Sequence, residues 1–189
     1  MLEMIKRKLA IGARKLPTAG VVRRLIRKKD GSAAIEFAIV AAPFLALMMA
    51  IIETALVFFA NQVLEVAAAD AGRYIMTGQA QGQATPFNPA TFADWIANNY
   101  GLGTFNRANL YVDVQKFNSF GGITSSSPLD ASGNLTLNPG YNPGGPGDII
   151  LVRVFYKWPS FTHILGFNMS NMGGGMRLLT ATSAFRNEP

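Results

Sequence analysis

The sequence predicts an α+β protein, in which a long N-terminal transmembrane helix extends into a small domain with an antiparallel sheet of about three to four strands. Three observations carry this. From Phe37 to Ala60 run 24 residues with a single charge, Glu53. Beyond them, small and apolar residues recur every three or four positions. Further on, three segments alternate apolar with other residues at the period of a strand.

The chain of 189 residues is long enough for one domain with appendages. Its net charge of +6 is unevenly spread. Residues 1–30 carry ten Lys and Arg against Glu3 and Asp30, so +8, and the remainder carries −2. A basic leader has three common uses: a nucleic-acid arm, a targeting signal, or a cytoplasmic anchor beside a membrane span. This one has no aromatic residue for base stacking and runs directly into the apolar segment, so no nucleic acid is expected as partner.

The segment from Phe37 to Ala60 would cover roughly 36 Å as a helix, enough for a hydrocarbon core of about 30 Å. It is apolar around its circumference, unlike the core helix of a soluble protein. Glu36 and Glu53 stand 17 residues apart. Each can therefore lie near an interface, which avoids the cost of an acid at mid-membrane, about 2.5–3.5 kcal/mol. Pro43 removes one backbone donor inside the span, a loss that membrane helices tolerate. The basic leader places residues 1–30 in the cytoplasm and the C-terminal part outside.

After the span, Ala60, Leu64, Ala67, Ala68, Ala71 and Ile75 form a stripe. Ala67/Ala71 and Ala68/Gly72 are small-xxx-small pairs that let another backbone approach closely. Their partner is either a helix of another subunit or the protein's own sheet. Gly78 is a stop signal, so one helix is expected from about Ser32 to Thr77. Residues 79–88 read as a linker. "NPATFADWIANNYG" reads as a short amphipathic helix with Pro89 in its first turn, Phe92, Trp95 and Ile96 on one face, and Gly101 closing it.

Strands are expected in "NLYVDVQKF", "DIILVRVFYKW" and "GMRLLTATSAFRN", forming an antiparallel sheet covered on one face by a helix. The roughly thirty residues between the first two are dense in Gly, Ser, Pro and Asn, a length that marks a functional or mobile loop. A short extra hairpin is expected within "GNLTLNP".

No constellation for catalysis or cofactor binding stands out. There is no cysteine, and His163 is the one histidine, with no acid beside it to orient it. The glycine clusters lack the Gly-Lys-Ser/Thr ending of a phosphate loop. Asp94, Asp113, Asp130 and Asp148 are scattered, and Met169, Met172 and Met176 read as filler around one turn. Neither an enzyme nor a metal or cofactor site is predicted.

The stretch "GSAAIEFAIVAAPFLALMMAIIETALVFFANQVLEVAAADAGRYIMTGQA" resembles the N-terminal signature of TadE-like proteins, the minor pilins or pseudopilins of bacterial tight-adherence (Flp-type) pilus systems. Gly31, Glu36-Phe37, the "IIE" ending at Glu53 and the "AAADAGRY" run carry the resemblance, and the terminal "RNEP" is familiar from such proteins. The resemblance implies a leader over residues 1–31, a helix over 32–78 and an extracytoplasmic domain over 79–189. It implies that a prepilin peptidase cuts between Gly31 and Ser32. Glu36, fifth from Ser32, then neutralises the new N-terminal amine of a neighbouring subunit. The partners would be that peptidase, other pilin-like subunits, the assembly platform and the bacterial inner membrane. Two other readings compete: a single-pass anchor unrelated to pili, and a secreted protein with a conventional signal cut near "VAAAD". The mature N-terminus would be Ser32, Met1 or near Asp70 respectively.

Overall fold

The computed structural model describes residues 32–100, 105–124, 127–160 and 169–189. The expectations that rest on the leader, Gly31, Gly101 and His163 lie outside the described residues. The chain divides between Leu47 and Met48 into two units. In the first, the described residues are the opening turns of helix α1 (Ser32–Met76), exposed almost throughout. Pro43 sits inside this helix, as expected.

In the second unit the rest of α1 joins a short helix, α2 (Pro89–Asn99), and strands β1 (Leu110–Phe117), β2 (Ile149–Pro159) and β3 (Met176–Arg186). α1 ends where Gly78 takes a φ of 76°, in the left-handed region where a side chain is strained. Asn88 caps the start of α2, one residue before the expected Pro89. Its side chain accepts from the N–H groups of Ala90 and Thr91, and the Thr91 hydroxyl accepts from the Asn88 N–H.

The sheet is antiparallel throughout, in the order β1-β2-β3. Its first face carries Leu110, Val112, Val114, Ile150, Val152, Val154, Tyr156, Leu179 and Ala181. Against these pack the α1 residues from Val57 to Ile75 together with Phe92, Ala93 and Ile96 of α2. The expected cover of one sheet face by helix is therefore present. Burial goes further than the alternation implies, because β2 is buried at every residue from Ile149 to Tyr156. Its second face carries Ile149, Leu151, Arg153 and Phe155, with the Arg153 guanidinium 5.6 Å from the Phe155 ring centre.

The loop between β1 and β2 is held at several points. The Asp130 carboxylate accepts from the N–H groups of Ser132 and Asn134, and Leu129 bridges Leu135, which closes a short hairpin over residues 129–135 that overlaps the start of "GNLTLNP" and is not contained within it. Tyr141 forms a parallel bridge to Val114 along the outer edge of β1. The Asn187 side chain donates to the carbonyls of Pro143 and Gly145, and the Glu188 N–H donates to the Met76 carbonyl. The "RNEP" segment thus ties the loop, the end of β3 and the end of α1 together.

Candidate functional site

The candidate site is α1 itself, which presents two different surfaces. From Val57 onward one face is consumed by the domain. Ala67, Ala68 and Ala71 are wholly or almost wholly buried, and Gly72 is buried with them. A Cβ on Gly72 would lie 2.8 Å from Ser183 Oγ and 2.9 Å from Phe185 Cε1, so the small residues let the helix approach β3. Of the two partners open to this stripe, the protein's own sheet occupies it.

The outer face is bare. Phe58 is 72% exposed and Phe59 65%, and Ile51, Ile52, Leu56 and Val66 are exposed beside them. Glu36 is exposed on the opening turns, one helical turn after Ser32, the first residue of α1.

Glu53, the acid expected near the far end of the span, is engaged by the domain. It is only 5% exposed and accepts a 2.6 Å hydrogen bond from the Ser160 hydroxyl, just beyond the end of β2. Trp158 lines a small cleft of about 80 Å³ with Met49, Ile52, Glu53 and Leu56. The neighbouring Thr54 hydroxyl donates to the Ala50 carbonyl and lies 3.6 Å from the Met169 sulfur. Sequence reading placed Glu53 by counting along the helix. It had no signal for Ser160, which lies 107 residues away.

A second buried polar pair was also missed. Asp113 and Arg153 face each other across β1 and β2, with both Nε and Nη2 of the arginine donating to one carboxylate oxygen at 3.1 and 2.7 Å. The other oxygen accepts from the Gly140 N–H and from the Gln115 amide. Both side chains are almost fully buried, and the added donors supply what such a pair needs when it leaves water. The pair links β1 to β2 and, through the Gly140 N–H, to the loop that follows β1.

At the surface, Asp148 is held below the usual carboxylate range, first by the Gly145 N–H and then by Lys116. Asp130 is lowered by the N–H and side chain of Asn134. Burial, with Phe87 and Phe92 against its ring, and then the charge of Tyr74 push the Tyr141 hydroxyl well above its ordinary value. Among the described residues no group of three or more acidic or histidine side chains could hold a metal ion.

These features define a class: a protein whose membrane-length helix also forms the spine of a small α+β domain. α1 is long and apolar enough to cross a membrane, and its most apolar 18-residue window has a mean hydropathy of 2.4. Residues 31–73 match the family described as TadE-like protein, which establishes the resemblance read from the sequence over that segment. Comparisons with curated proteins and with solved structures find no match.

Proposed function

We propose that this chain is a non-enzymatic pilin-like subunit of a tight-adherence (Flp-type) pilus system, anchored in the bacterial inner membrane by α1. In this reading residues 1–31 form a cytoplasmic leader, residues 32–78 the helix and residues 79–189 a domain on the far side of the membrane. A prepilin peptidase removes the leader between Gly31 and Ser32, and Glu36 then receives the ammonium of a neighbouring processed subunit. The bare outer face of α1 packs against other pilin-like helices. The carrying observation is the family match over residues 31–73, which begins at Gly31 and includes Glu36. The burial of Ala67, Ala68, Ala71 and Gly72 directs lateral packing to the other side of the helix.

The two residues are expected to fail at different steps. A bulky side chain at Gly31 blocks cutting, and the full-length chain persists on an immunoblot. Glu36→Val is still cut but loses crosslinks to other pilin-like subunits. Breaking a partly desolvated ion pair costs up to about 3–5 kcal/mol, well above the roughly 1.4 kcal/mol of a tenfold change in association. Normal size reduction with a bulky residue at position 31 refutes the cleavage site. Normal crosslinking and normal pili with Glu36→Val refute the pairing role.

A further inference from the structure

We propose that the base of the sheet, centred on Trp158 with Pro159 and Arg177, lies in the lipid headgroup region of the membrane rather than above it. This rests on the membrane anchorage proposed for α1 and goes beyond it, because it assigns a lipid-contacting surface to the domain.

The argument begins with a mismatch of levels along α1. The sheet meets the helix at Glu53, through Ser160, and the cleft beside Trp158 reaches one turn further back, to Met49. Yet the exposed surface of the helix stays apolar well past Glu53, through Leu56, Phe58 and Phe59, and turns polar only at Asn61 and Gln62. Eight residues of helix, about 12 Å, therefore carry domain on one side and lipid-compatible side chains on the other. An apolar surface of this kind continues the membrane-length run without a break. A bilayer covering it brings the attached end of the sheet to the same depth.

The composition of that end fits the headgroup region. Trp158 is partly exposed, near the end of β2. Trp158 pairs across the strands with Arg177, and the exposed Pro159 pairs with Met176. Lys157 precedes them, its ammonium 4.9 Å from the Tyr111 ring centre. An indole flanked by long cationic side chains suits a membrane interface, where the ring sits among headgroups and the cations meet lipid phosphates. The other tryptophan supplies an internal contrast. Trp95 stacks on Tyr74, 21 residues beyond Glu53 and so about 31 Å further along the helix axis.

Two tryptophans and no cysteine make a direct test possible. The full chain is reconstituted into vesicles of phosphatidylcholine and phosphatidylglycerol in which the acyl chains carry shallow bromine atoms. In Trp95→Phe, Trp158 emission is expected to fall at least about twofold, as for an interfacial ring. In Trp158→Phe, Trp95 emission is expected to be unchanged. A second readout does not depend on either tryptophan variant folding. A single cysteine at Pro159→Cys should react at least about tenfold more slowly with a charged, impermeant maleimide than one at Arg73→Cys, because the interface shields it. If the chain survives an alkaline wash of the vesicles but Trp158 is quenched no more than Trp95, and Pro159→Cys labels as fast as Arg73→Cys, this inference is overturned while the anchor stands. A Phe59→Cys disulfide dimer with unquenched Trp158 overturns it in favour of a second copy. If the wash removes the chain, both readings fall.

Discussion

Gly72→Ala sets two effects of opposite sign against each other. In an exposed helix the change stabilises by about 1 kcal/mol, because alanine loses less backbone freedom than glycine. Here the new methyl would stand 2.8 Å from Ser183 Oγ and 2.9 Å from Phe185 Cε1, closer than carbon atoms approach without displacement. Overfilling a packed contact costs about 1–3 kcal/mol. Ser183 can rotate, but the Phe185 ring packs against the core and has less room. The cost should therefore exceed the helical gain, leaving a net loss of about 1 kcal/mol and a melting temperature lower by roughly 2–4 °C for a chain of this size. The assay is thermal unfolding of the full chain in detergent, followed by circular dichroism in the sheet region. Gly72→Leu should lose much more. Adding Ser183→Ala to Gly72→Ala should recover part of the loss, since contacting residues couple by about 0.5–3 kcal/mol. A melting temperature that rises with Gly72→Ala would refute the close approach of α1 to β3.

Two further outcomes follow from the polar groups. Arg153→Met should destabilise by about 3–5 kcal/mol by leaving Asp113 buried without its cation, while Asp113→Leu combined with Arg153→Met should recover much of the loss; denaturant melts that rank the double variant below the single one would contradict this. Asp148 and Asp130 have folded pKa values below their unfolded ones, so they contribute stability above the ordinary carboxylate pKa that is lost as pH falls through the folded value. Asp148→Asn should flatten the fall of melting temperature below about pH 4, and an unchanged acid slope would count against the Gly145 and Lys116 contacts.

α1 was legible because composition alone decides it: a largely apolar run of 24 residues with one charge has few other uses. The strands were legible from alternation, and α2 from Pro89 and its apolar face. The small-residue stripe was legible as a close-approach surface, but Ala, Ala, Ala and Gly specify only how near a neighbour comes. They do not say whether it is a β-strand of the same chain or a helix of another. Asp113 and Arg153 stood on predicted strands, yet their pairing depends on a register across 40 residues that local pattern does not encode. Glu53 shows the limit of counting along a helix: position gave its level, and only the fold supplied Ser160. The long loop was read from its Gly, Pro and Asn content, which marks turns but not the anchors, Asn187 above all, that hold them.

The hydrogen bond from Glu188 to Met76 has a temporal consequence. The spine helix is complete by Met76, but the residue that fastens its end emerges 112 positions later. Helices form within microseconds, whereas contacts so distant in sequence wait for the intervening chain. During synthesis the apolar stripe from Ala60 to Ile75 is thus formed before β2 and β3 arrive to cover it. For that interval it is an uncovered apolar surface, open to a chaperone or to a wrong partner. A chain halted before Asn187 would keep an incompletely fastened domain on an intact helix, and misassembly would begin there.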